Sequence, residues 1–203
     1  ARYHQFLQAE VMNFSPADMA FIEKVFKAID KEVQEFSKHI LTPKIKLIKI
    51  EGLHYGPSVY YTRENCIVIP KDVLANPNYD TFHKTMLHEL FHIYSRYNPE
   101  KRKALYELIG FRDIGNPRYL KMNKNLRERV LLNPDGVNYA VAIDLKLEDG
   151  KKVRAIPIIY SNKSGYVDGQ DSFFSYLSFN LFPIQPPLSR LIHVKSDQNG
   201  RSK

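Results

Sequence analysis

Residues 81–97 read T-F-H-K-T-M-L-H-E-L-F-H-I-Y-S-R-Y, and this stretch decides what the chain can be. Phe82, Met86, Leu87, Leu90, Phe91, Ile93 and Tyr94 recur at helical spacing, which predicts a helix over about 81–97 packed on most sides. Asp80 is placed to accept from the free amides of the first turn, and Asn98-Pro99 ends the segment. Thr81, Thr85, His88, His92 and Ser95 form a polar stripe, which is costly to bury without a reason. Within it lies His88-Glu89-Leu90-Phe91-His92, the H-E-x-x-H pattern. Residues four apart on a helix stand one above the other, so both imidazoles can hold one Zn²⁺ at about 2.0–2.1 Å. Glu89, one position on, can take a proton from a water held there and pass it to a leaving amine. The bland alternative is two helix histidines satisfied by hydrogen bonds, with Glu89 in a local ion pair.

Upstream, Ser15-Pro16-Ala17-Asp18 carries a cap, a first-turn proline and an acid suited to a helix N-terminus. Ile22, Val25, Phe26, Ile29, Val33 and Phe36 then predict a helix over about 16–38. Strands are expected at Lys44–Ile50, Ser58–Thr62 and Asn65–Ile69, punctuated by Gly52, Gly56-Pro57 and Pro70. Downstream, a helix over about 99–109 stops at Gly110. From 101 to 129 there are nine Lys or Arg against three acids, either a solvated basic face or a surface for an anionic partner. Asp149-Gly150 between Val137–Leu147 and Lys151–Tyr160 signals a hairpin. Residues Gly165–Phe182 read as a further strand pair, and Leu191–Val194 as a last short strand. The fold class is α+β: a mixed sheet, the H-E-x-x-H helix, a basic helical segment and a C-terminal antiparallel β region. We divide it into a catalytic region, 1–136, and a strand-rich region, 137–203, packed on it as one domain.

A chain of 203 residues with 43% apolar and 26% charged residues is long enough to bury a core without staples. It has no run of 18 apolar residues, so neither a transmembrane segment nor a disordered or rod-like chain is expected. The net charge of +8 favours acidic partners. No zinc finger, helix-turn-helix or RNA-binding motif is recognisable, so nucleic acid is not expected as the partner. Cys66 is the only cysteine, which excludes an intrachain disulfide and is compatible with the cytoplasm and with secretion.

The stretch His88–Pro99, followed by Leu105-Tyr106, Ile109-Gly110-Phe111 and Asn133-Pro134-Asp135, resembles bacterial H-E-L-F-H zincin-like proteins of the gluzincin kind. The resemblance covers about residues 64–136. It implies zinc, a water nucleophile and peptide-bond hydrolysis, with His88 and His92 as metal ligands and Glu89 as the catalytic residue. The run Asn65–Ile69 before the helix matches a zincin layout in which a sheet edge receives extended substrate. Size, Lys-rich composition and motif position also resemble actin-cleaving metalloprotease effectors of bacteria. That likeness implies a protein substrate such as actin and secretion into a host cell.

The chain departs from the group's pattern at the third ligand, which the resemblance places on a glutamate beyond the strand-rich region. Either it lies past Lys203 or another residue replaces it; Glu107, Glu128, Asp113 and His193 are the internal candidates. A metzincin third histidine is excluded, because Arg96 stands where glycine would follow and no His lies near Pro99. Peptide deformylases pair H-E-x-x-H with a cysteine ligand, but the Glu-Gly-Cys-Leu-Ser motif is missing around Cys66, which reads as a small core hydrophobe. Tyr139, Tyr160, Tyr166 and His193 are the candidates for stabilising the developing oxyanion. The rival reading is a non-catalytic basic binding module on a degenerate zincin fold.

Overall fold

A computed structural model describes residues 2–36, 40, 43–116, 120–131, 135, 141–163, 165, 173–184 and 192–195. The chain is a mixed α+β protein whose contacts group it into two units, 1–99 with 134–136, and 100–133 with 137–203. The basic segment 100–133 thus goes with the C-terminal strands, whereas the sequence had grouped it with the N-terminal region. The reason is strand pairing: residues 111–113 add to the second sheet. No helix among the described residues is long and apolar enough to cross a membrane.

In the first unit the helices are α1 (Arg2–Ala9), α2 (Pro16–Phe36), α3 (Asp72–Ala75) and α4 (Tyr79–Tyr97). Its strands are β1 (Val11–Met12), β2 (Lys46–Ile50), β3 (Tyr61–Arg63) and β4 (Cys66–Pro70), in the sheet order β1-β2-β4-β3. Only the β2–β4 pair is parallel. Strand alternation sends Ile67 and Ile69 of β4 to one face, where they meet Ile22, Val25, Ile29 and Val33 of α2 and Phe82, Met86, Leu90 and Ile93 of α4. Val68 points the other way, to Ile50 and Tyr61. β4 is therefore interior, and the edge strand beside it is β3.

Reciprocal bonds close the start of α2: Asp18 N donates to Ser15 Oγ at 3.1 Å, and Ser15 N donates to Asp18 Oδ2 at 2.8 Å. Lys49 of β2 donates to the same carboxylate at 2.7 Å. Burial alone would raise the Asp18 pKa, but the Lys49 and Ser15 bonds outweigh it and hold the carboxyl below its ordinary value. Asp18→Ala removes the carboxylate half of this reciprocal pair and strands a nearly buried ammonium, so it is expected to cost about 2–4 kcal/mol. Urea titration would check this, and a loss well under 1 kcal/mol would refute it.

The second unit holds α5 (Pro99–Leu108, whose first residue belongs to the other unit), α6 (Lys124–Arg127) and six strands. These are β5 (Phe111–Asp113), β6 (Leu120–Lys121), β7 (Val141–Lys146), β8 (Lys152–Ser161), β9 (Leu177–Pro183) and β10 (Ile192–His193). β5-β7-β8-β9 is an antiparallel sheet, and β6 pairs with β10 in parallel. The β7–β8 hairpin turns where the sequence expects, with Gly150 at φ 81°. Two expectations change. The basic segment is only partly helical, since β5 and β6 interrupt it, and the described part of 165–182 is a short 3-10 turn (Phe173–Tyr176) feeding one strand. The core is Leu126, Ala142, Ile156, Ile158, Tyr160, Phe182 and Val194.

Candidate metal centre

α4 sets the geometry. Its N-cap is Asn78, whose side chain accepts from Thr81 N at 2.9 Å; Asp80, the expected cap, lies inside the first turn instead. At about 100° per residue, the core stripe Phe82, Met86, Leu90 and Ile93 leaves His88 and His92 together on one flank. Glu89 falls between that flank and the core. Exposure follows the wheel: His88 is exposed, His92 half-buried, and Glu89 only 4% exposed.

The Nε2 atoms of His88 and His92 stand 2.9 Å apart, with the rings nearly perpendicular. Two imidazoles on one tetrahedral ion hold their nitrogens about 3.3 Å apart, so the pair already has close to that spacing. In the metal-free chain one neutral ring can donate to the other. Ser95 fixes the turn behind them by donating to the His92 carbonyl at 3.0 Å, and Thr85 donates to the Thr81 carbonyl at 2.9 Å. The polar stripe is thus partly a set of hydroxyls bonded back to the helix.

Asp135, in the 134–136 segment of the same unit, joins His92 and Glu89. One ligand atom each from Glu89, His92 and Asp135 lie within 4.8 Å of one another, the one such group among the described residues. Asp135 Oδ1 accepts from Thr62 N at 2.7 Å and from Thr62 Oγ1 at 3.1 Å. The sequence points to Asp135 only as part of a motif. Its Asn-Pro-Asp-Gly context reads as a turn, and an acid on a turn is too common a signal to single out.

Among the described residues, none of the other expected ones joins this group. Cys66 sits half-buried on β4, its thiol 3.9 Å from Asn65 Oδ1, outside the cluster. Glu107 and Glu128 are exposed in the second unit, Glu128 lying 3.9 Å from Lys124, and Asp113 accepts from Gly115 N in its own turn. Tyr160 is buried in the second core, where its hydroxyl accepts from Asn180. Tyr139 and Tyr166 lie outside the described residues, and of His193 only the backbone pairing with Lys121 is described. Tyr60, not anticipated as a site residue, borders Glu89: burial first, then the charges of Asp72 and Glu89, push its phenol pKa up and keep it neutral.

Set against protein-family models, curated proteins and solved structures, the chain matches none at a significant level. What the site can do follows from its own donors. Two imidazoles and a carboxylate are the donor types zinc takes. Glu89 Oε2 is buried with no hydrogen-bond partner, as suits a group whose partner is a water or an ion.

Burial, with the negative charge of Asp135 adding to it, pushes the Glu89 carboxyl up from 4.5 to about 8. Burial pulls His92 down; His88 and Arg96 act the same way, and Asp135 opposes them. In the metal-free protein a raised Glu89 pKa means that the native state holds a proton the unfolded chain has lost. Stability is full below about pH 4.5 and falls as pH rises through about 8. His92 works oppositely near its own ordinary value, so the comparison is with Glu89→Gln, which keeps His92. The melting temperature of the chelated wild type, relative to Glu89→Gln, is expected to drop between about pH 5 and about pH 9. A pH-independent difference would refute the assignment.

Proposed function

We propose that the protein is a zinc-dependent, zincin-like endopeptidase acting on a protein substrate. The observation that supports it most is the convergence of the His88 and His92 Nε2 atoms to 2.9 Å beside a buried glutamate with an unpartnered oxygen. His88 and His92 would hold the ion, with a carboxylate completing the set. Zinc, when bound, supplies the Lewis acidity that makes water a nucleophile at neutral pH and polarises the scissile carbonyl.

Glu89 handles the proton. Burial and Asp135 keep this carboxyl protonated in the metal-free chain; the positive charge of a bound ion would offset them, and Oε2 could then accept a proton and return it to the leaving amine. Burial keeps that proton from bulk water, and the packed stripe behind Glu89 holds the carboxyl at the histidine flank. The likeness to actin-cleaving effectors makes actin the first substrate to test and a host cell the proposed place of action; the +8 charge suits an acidic target.

The experiment is to strip the full chain with chelator, reload it with zinc, and incubate it with purified actin and with an unfolded protein. Near one zinc per chain, with cleavage lost on stripping and restored on reloading, is the expected result. No retained zinc and no cleavage would sink the reading. It would turn attention to a basic binding module, which one feature favours: α5 has no buried residue, Leu108 is exposed on that helix with Lys101, Arg102 and Lys103, and Ile109 is exposed just past its end. Steep weakening of partner binding with salt would mark that alternative.

A further inference from the structure

We infer that Asp135 is the third protein ligand of the metal site, and that Thr62 and Arg96 are positioning residues that hold its carboxylate there and close the neighbouring sheet edge. The inference rests on the zinc reading and adds to it a ligand and a holding device. Glu107, Glu128 and Asp113 join no ligand group among the described residues, whereas Asp135 groups within 4.8 Å with His92 and Glu89, a group that does not include His88.

A carboxylate on a turn needs fixing before it can serve as a preorganised ligand, and here the fixing is visible. Thr62, fully buried on β3, donates to Asp135 Oδ1 through both its backbone N–H and its hydroxyl. Having spent its one proton there, the hydroxyl can only accept from its other side. Arg96 Nη2 donates to it at 2.9 Å, and Arg96 Nη1 donates to the Glu64 carbonyl. Arg96 lies one helical turn beyond His92 on α4. The relay Arg96 to Thr62 to Asp135 therefore ties three things together: the helix bearing the histidines, the edge strand, and the acid. Such outer partners orient ligating groups, and losing one typically weakens metal binding about 10–100-fold.

The relay also bears on substrate access. Thr62 is paired with Ile67, yet its amide bonds to Asp135 rather than to β4, so it faces the outer edge of β3. An incoming strand that pairs with β3 finds that donor taken. Extended substrate is thus expected to pair elsewhere, or to pair with β3 without the residue 62 amide.

The test uses the full chain and two readouts other than activity: zinc affinity by competition with a chromogenic chelator, and the visible spectrum after Co²⁺ substitution. Asp135→Asn, nearly isosteric and still able to accept from Thr62, should weaken zinc at least about 100-fold and alter the cobalt spectrum. Thr62→Val, which keeps shape and amide but loses the hydroxyl, should weaken zinc about 10–100-fold, and Thr62→Ser should restore affinity to within about threefold. Melting of the chelated variants near the wild-type temperature separates these effects from misfolding. If Asp135→Asn binds zinc as the wild type does, with an unchanged cobalt spectrum, while His88→Ala does not bind, the inference falls and the zinc reading stands. If Thr62→Val binds normally, the positioning role falls. If the wild type itself takes no zinc, both fall.

Discussion

Replacing Glu89 with glutamine is expected to abolish peptide-bond cleavage by at least about a thousandfold while leaving zinc in place. Glutamine has nearly the shape of glutamate, so the buried wedge between Met86 and Ile93 stays filled. What it loses is the ability to accept a proton at Oε2. Because the proton must be taken from water and returned to the amine, both halves of the reaction suffer, and kcat should fall with little change in KM. Meanwhile the two imidazoles keep their convergence, so the metal content should match that of the wild type. The fold should gain, since a carboxyl whose ionisation is opposed by burial is replaced by a neutral amide. Loss of activity together with retained metal and an unchanged or raised melting temperature at alkaline pH is a combination that simple misfolding cannot give. Cleavage at the wild-type rate would remove Glu89 from the mechanism.

The parts of the structure that were legible in the sequence are those whose signal is local. α2 and α4 show in the spacing of Ile22, Val25, Ile29 and Val33 and of Phe82, Met86, Leu90 and Ile93, because a helix buries one stripe. The β7–β8 hairpin shows in Asp149-Gly150, because Gly150 must take a positive φ. What stayed hidden is set by partners far along the chain. No local feature of 61–70 says that β4 lies inside and β3 outside; that depends on the parallel pairing of β2 with β4. Asn78 and Asp80 are both good caps, and which one serves depends on where the first turn starts. The same limit governs the site. His88, Glu89 and His92 are legible because one helix spaces them. A carboxylate that reaches the site from a turn leaves no periodicity, so a search along helices reaches Glu107 and Glu128 before Asp135.

His92→Ala is expected to show the opposite pattern, with loss of the metal as well as the activity. His92 is half-buried between the exposed His88 and the Glu89–Asp135 pair, and it is the imidazole grouped with both carboxylates. Without it, His88 stands alone on the solvent side, and a single imidazole with one carboxylate is a poor zinc site in water. Zinc affinity should drop by at least about a thousandfold, and cleavage should disappear at any zinc concentration that leaves the substrate soluble. The chelated protein should change little in stability, because the core stripe Phe82, Met86, Leu90 and Ile93 is untouched and the small cavity opens beside solvent. Mass spectrometry of the metal content, beside a melt of the chelated form, distinguishes the cases. One equivalent of zinc held as tightly as in the wild type would mean that the ion, if present, sits away from the H-E-x-x-H face. Loss of metal with an intact fold, set beside Glu89→Gln with metal but no activity, would separate holding the ion from moving the proton.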